Sequence, residues 1–249
     1  GGASAGLGDQ VAGAARVILE LAAQLGQVHP QVVGLPLVLG APHGLQQLAL
    51  AAELDALAVL AVWLVESAGL THSPDHVPLR FDCHRFYAHW GRANEALFDR
   101  HFQFGGRQGV SGKPETNHKV RHDPERDEWE TFHGNHEREQ RAFALAEQLA
   151  GPEAAAKAAR FGAVLLHGRS HDACGYANAQ DMRCAFQRDE RWQLLGLFDF
   201  CAAKGLLGYL RGNQWKRFAA ARHGEGQHHG LRLAETWGLR DQLLALPRA

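Results

Sequence analysis

Cysteine is scarce: Cys83, Cys174, Cys184 and Cys201 are the 4 cysteines of 249 residues, and no two form a CxxC pair. This excludes a disulfide scaffold and the common cysteine zinc motifs, and makes buried or free thiols the expected state. An excess of one charge is equally lacking, since 26 Lys and Arg oppose 27 Asp and Glu for a net charge of -1. Without a basic surplus, neither nucleic acid nor an anionic membrane surface is an expected partner. Long apolar runs are missing too. The longest, Leu54 to Val65, is interrupted by Asp55 and falls far short of the roughly 20 residues a bilayer needs. The first residues show no basic stretch leading into an apolar one, the pattern of a secretory leader. The motifs GxxxxGK[ST], GxSxG and a helix-opening GxGxxG are also absent, which removes the usual phosphate loops and the serine elbow.

What is present suits a globular chain with a real core, 45% hydrophobic and 21% charged, with an unusual 16 histidines. Residues 1–43 are rich in Gly, Ala and Val and break at Pro30, Pro36 and Pro42. They read as a short helical piece, about Gln10 to Leu25, and a loop-rich connection, because prolines at that density stop helices. From His43 to Glu66 an Ala/Leu-dominated stretch without proline predicts one long buried helix or two in succession. A short extended piece is expected at Leu79 to Phe81, then aromatic-rich helical segments over 82–104. Gly105 to Glu130 is polar, without apolar period, and reads as a surface loop long enough to imply a role. Helices are expected at His136 to Leu149, over the Pro152-led segment to Phe161, after a cap at Asn178 or Asp181, and at Trp192 to Ala203. Shorter ones follow at Leu206 to Arg211 and Trp215 to Arg222. Almost nothing alternates with period two, so the class is mainly α, with room for a small hairpin.

The sharpest chemical feature is Glu66, at the end of the apolar helix and just before Gly69. The negative end of the helix dipole and apolar surroundings both disfavour a charged carboxylate there, so its pKa is expected to rise. A carboxyl that keeps its proton near neutral pH is what a glycosidase uses to protonate a leaving-group oxygen.

The sequence Glu66-Ser67-Ala68-Gly69, followed by Phe81-Asp82-Cys83-His84-Arg85-Phe86, resembles the peptidoglycan N-acetylmuramidase family of phage endolysins and bacterial secreted hydrolases. In that family a helix ending in Glu-Ser-x-Gly precedes a Phe-Glu-Arg-His-x-Phe segment; here Asp82 stands for the Glu and Cys83 for the Arg. The segment Arg160 to His171, leading to Gly175-Tyr176, and the stretch Trp215-Lys216-Arg217-Phe218-Ala219 to Gly226 continue the likeness over about residues 47–240. Leu165, Val164 and His167 replace the family's Gln, Gly and Met, and Arg222-His223 its Tyr-Asn.

The resemblance implies a mainly α, lysozyme-like helical domain over residues 44–249, preceded by the short helical and loop segment 1–43. It implies cleavage of the β-1,4 bond between N-acetylmuramic acid and N-acetylglucosamine in bacterial peptidoglycan, in the periplasm or at the cell wall. Glu66 would be the general acid and Asp82 the second carboxylate, with Asp75 and Glu115 as weaker options. The cleft would lie between the helix ending at Glu66, the loop 105–130, and the segments around Gly168 and His223. His84, His167, Arg222 and His223 would bind substrate, and Trp90 and Trp129 could stack on sugar rings. No cofactor or metal is implied. The alternatives are a non-catalytic glycan- or protein-binding member of the same fold, and a cysteine peptidase in which Cys83 has a lowered pKa at a helix start. A third is a zinc protein built on His133-x-x-His136 or on His167-x-x-x-His171 with Cys174.

Overall fold

The computed structural model describes residues 45–67, 77–223 and 227–244, so the segment 1–43, with its expected helix, and Asp75 lie outside the described residues. The chain divides into two compact units, residues 1–72 with 201–249, and residues 73–200.

In the first unit, the stretch from His43 to Glu66 forms two helices in succession, α1 (Leu45–Ala51) and α2 (Ala56–Ser67), as its composition allowed. The break falls at Glu53, whose φ of 55° no helix tolerates. Helix α2 is apolar on every side, and its Val59, Leu60, Val62, Trp63 and Val65 are all buried. A helix of this kind is held by packing on all faces rather than by one stripe, and it carries its one late acidic residue, Glu66, into the interior with it.

The second unit opens with β1 (Leu79–Phe81), α3 (Cys83–His89) and α4 (Glu95–His101). Strands β2 (Phe102–Gln103), β3 (Lys119–Val120) and β4 (Glu130–Thr131) make one antiparallel sheet, with Phe102 opposite Val120 and Val120 opposite Glu130. Helix α5 (His136–Ala150) follows, its first turn capped by Asn135 Oδ1, which accepts from the Arg138 N–H at 3.0 Å. Gly151 at φ 83° ends it and Pro152 opens α6 (Pro152–Lys157). Strands β5 (Ala159–Phe161) and β6 (Leu166–His167) join β1 in a second antiparallel sheet of order β1-β5-β6. Helix α7 (Ala179–Arg188) is capped by Asn178, as expected, and α8 (Glu190–Ala203) follows. Back in the first unit, α9 (Leu207–Arg211) and α10 (Trp215–His223) precede α11 (Gln227–Leu244), which packs on α10 and on α2. A side chain at Gly230 would come within 2.9 Å of the Lys216 Cα, so the glycine sets how closely α10 and α11 approach.

Three readings need correction. The segment Glu153 to Phe161 is half strand: its helix stops at Lys157, and Ala159 to Phe161 pair with β1. The expected small hairpin is two three-stranded sheets. The loop from Gly105 to Glu130 is not all surface, since His118 and Val120 are buried and the latter joins the β2 and β4 strands. Pairs of two-residue strands are too short to show alternation, which is why the pattern missed them.

The core of the second unit is phenylalanine. Phe81 lies within 5.5–6.1 Å, centre to centre, of the rings of Phe86, Phe102, Phe132 and Phe143. One buried polar residue, Gln193, shapes the β5–β6 turn: its Oε1 accepts from the Ala163 N–H at 2.8 Å and its Nε2 donates to the Phe186 carbonyl at 2.9 Å. Gly162, at φ 76°, makes room for that amide, as a Cβ there would stand 2.8 Å from Gln193 Oε1.

Candidate active site

In the first unit, the end of α2 places Glu66 in the interior, 7% exposed. Arg222, from the last turn of α10, meets it side-on, Nε to Oε1 and Nη2 to Oε2, each at 3.4 Å. Both contacts are about half an ångström longer than the 2.7–2.9 Å of a tight charge-assisted pair. The guanidinium therefore orients the carboxyl group without clamping it. Burial pushes the Cys201 thiol up to about 12, with Arg222 drawing it down and Glu66 raising it further, so this thiol lies in the field of the pair. The fold thus brings together Glu66 and Arg222, one of the four residues expected to contact substrate. The His223 side chain lies outside the described residues.

In the second unit, Asp82 follows β1 at the N-terminal boundary of α3, and it is 2% exposed. Its Oδ2 accepts from Arg85 Nε at 3.2 Å and forms an ion pair with Arg160, whose Nε stands 3.3 Å away. Burial would raise this carboxyl, but Arg160, His84, His118 and Arg85 together outweigh it and hold Asp82 below its ordinary value. Glu115 is exposed. His84 Nδ1 stands 3.4 Å from His118 Nε2, and His118 Nδ1 3.1 Å from His133 Nε2, a row of three imidazoles. Burial lowers His84 and His133 to about 4 and also lowers His118, so all three rings are neutral near pH 7.

His167, on β6, is lowered further, to about 3, by burial and by Arg160 and Arg85. Its Nδ1 is buried without a hydrogen-bond partner. This has a consequence for stability. The unfolded histidine takes a proton near 6.5 while the folded one resists it, so the contribution of His167 is complete above pH 6.5 and is lost as pH falls towards 3. Each tenfold difference in proton affinity is worth about 1.4 kcal/mol. The expected result is that His167→Gln flattens the fall of the urea midpoint between pH 6.5 and 4; an unchanged slope would show that this ring does not resist protonation.

Two functional-looking groups were not visible in the sequence. Glu139 sits in a charged run, Glu137-Arg138-Glu139, which reads as a solvated helix face. Instead it accepts from the Phe81 N–H at 3.2 Å and the Gly134 N–H at 3.3 Å, and burial raises it to about 7. His118 lies in a Gly- and Pro-rich stretch with no apolar period, yet it is 1% exposed. The Cys83 thiol is also buried, and burial together with the Asp82 charge raises it well above its ordinary value. The cysteine-nucleophile reading is therefore overturned, because a helix start lowers a thiol only where the thiolate is solvated or paired with a cation. The four cysteines form no disulfide. Among the described residues neither histidine spacing read from sequence gathers as a metal set: His136 approaches Gln140, and His171 Nδ1 meets the Tyr176 carbonyl at 3.0 Å. Trp90 stacks on Phe86 at 5.0 Å, and Trp129 lies under the Arg121 guanidinium at 4.6 Å.

Comparison with known proteins places these residues in a family. A family model described as Muramidase, N-acetylmuramidase, matches residues 55–236. Among solved structures, the crystal structure of a Burkholderia AP3 phage endolysin is similar in fold, with a TM-score of 0.60 and 24% sequence identity, covering 80% of this chain and 71% of that chain. No curated protein matches the chain. No helix among the described residues is long and apolar enough to cross a membrane. The family match runs through Glu66, Asp82, His167 and Arg222 and takes in well over half of the sequence, so the chain belongs to the N-acetylmuramidase family, as a glycoside hydrolase of the peptidoglycan-degrading kind.

Proposed function

We propose that this enzyme hydrolyses the β-1,4 bond between N-acetylmuramic acid and N-acetylglucosamine, with Glu66 as the general acid, in a domain that begins near residue 44. The observation that carries this reading is the position of Glu66 within the family match: a buried carboxyl at the end of an apolar helix, oriented by Arg222. A glycosidase acid must give a proton to the leaving oxygen and later take one back, and an arginine beside it steadies the carboxylate formed in between.

Asp82 was expected as the second carboxylate. It is ionised, as a nucleophile or base must be, but it is enclosed and engaged by two arginines. A carboxylate so placed suits tying α3 and β5 together beside β1, so this reading assigns the proton transfer to Glu66 and gives Asp82 a structural role within the second unit. His84 and His167, neutral and half-buried, retain nitrogens suited to sugar hydroxyls.

Digestion of purified peptidoglycan followed by mass spectrometry of the fragments tests the bond assignment. Expected are muropeptides with new reducing ends on N-acetylmuramic acid. Reducing ends on N-acetylglucosamine would move the cut to the other glycan bond, and co-sedimentation without new ends would remove hydrolysis altogether.

A further inference from the structure

Asp82, His118 and His133 each bring one ligand atom within 4.8 Å of the others, and the glycan chemistry proposed for Glu66 uses none of the three. They come from three separate segments of the second unit: the β1–α3 junction, the polar stretch before β3, and the turn between β4 and α5.

The hydrogen bonds fix how this cluster faces inward. His118 Nε2 lies 2.9 Å from the Pro114 carbonyl, which can only accept, so Nε2 carries the proton and Nδ1 is left as a lone pair. That lone pair points to His133 Nε2, 3.1 Å away, which itself stands 2.8 Å from the Phe81 carbonyl. His133 Nε2 therefore meets two acceptors at once. One proton on it must be shared between them, whereas a cation beside the two rings would take a lone pair from each of the facing nitrogens. With Zn–N distances of about 2.0–2.1 Å, two nitrogens on a tetrahedral ion stand roughly 3.3–3.4 Å apart, close to the separation seen. The third donor is ready as well. Both arginine contacts of Asp82 fall on Oδ2, which leaves Oδ1 for the ion. The Pro114 carbonyl plays the part of the outer partner that metal-bound histidines commonly have, fixing tautomer and ring orientation.

We propose that Asp82, His118 and His133 form a zinc-class site, with Zn²⁺ bound by His118 Nδ1, His133 Nε2 and Asp82 Oδ1. Two imidazoles and one carboxylate form a borderline donor set that suits Zn²⁺ better than Ca²⁺ or Mg²⁺, which favour oxygen alone. The site is enclosed, so the ion acts as a clamp. It ties the polar stretch carrying His118 to the phenylalanine core at Phe81 and to the start of α5. Binding would move the His133 proton from Nε2 to Nδ1.

The test uses the full chain, stripped with a chelator and dialysed against Zn²⁺. Expected are one ion retained per chain, a melting temperature several degrees above that of the stripped protein, and an X-ray absorption spectrum showing two imidazoles and oxygen. His118→Gln and His133→Gln lose the retained ion, while His171→Gln keeps it. The proposal is overturned if the wild-type chain retains no Zn²⁺, if the absorption spectrum shows sulfur or oxygen alone, or if the double variant at His118 and His133 binds as the wild type does. The wild-type measurements decide even if the variants fold poorly. Loss of the zinc site would leave the Glu66 reading intact, since the glycan digest contains no metal step.

Discussion

Glu66→Gln is expected to lower peptidoglycan clearing by about 10²- to 10⁴-fold, the usual worth of a positioned proton donor. Glutamine keeps the length of the side chain and one acceptor oxygen for Arg222, so one of the two 3.4 Å contacts can persist. What it cannot do is supply a proton to the glycosidic oxygen. Substrate affinity should change far less than turnover, because the proton moves only in the transition state. Helical circular dichroism and the melting temperature, measured on the same samples, separate this from unfolding. If the variant clears peptidoglycan within about tenfold of the parent enzyme, general acid catalysis at this position is untenable, since even the low end of that range is larger.

The part of this site that could be read beforehand was the part governed by helical period. An apolar stretch without proline told of a buried helix, and the acidic residue before its glycine stop was bound to be carried inside or to mark its exit. The helix caps at Asn178 and Gly151 were likewise local, because a capping side chain or a positive φ depends on neighbours in sequence. The histidine cluster was not local in this sense. His133 was singled out by its spacing to His136, but its partner is His118, fifteen residues earlier in a stretch whose composition signals loop. What buries His118 is the tie of β3 to β2 and β4, through strands of two residues. Glu139 was hidden for a different reason. Its neighbours Glu137 and Arg138 are exposed, and only the approach of β1 turns it from a surface charge into an acceptor for the Phe81 N–H. Gly168 shows the reverse case: the glycine stands in the sequence, but its reason is the Ala156 carbonyl, 2.0 Å from where a Cβ would stand.

Phe81→Ala is expected to be the most destabilising single change in the second unit, costing about 3–5 kcal/mol. The ring is wholly buried, and four others converge on it, from α3, β2, α5 and the turn after β4. Those neighbours belong to different elements, so none can move into the void without disturbing its own strand or helix, and the cavity should stay largely open. Against a total stability of about 5–15 kcal/mol this is a large share. At about 2–4 °C per kcal/mol for a chain of this size, the melting temperature should fall by roughly 10 °C. Phe81→Leu retains much of the apolar volume and should fall clearly less. The residue also anchors through its backbone, the N–H on Glu139 and the carbonyl beside His133. A slackened strand at this point would loosen the histidine row along with the core, so the alanine variant should hold Zn²⁺ less tightly while the leucine variant holds it normally. A drop of under 2 °C in Phe81→Ala would mean that the surrounding rings close over the gap, and that the aromatic cluster does not hold this unit rigid.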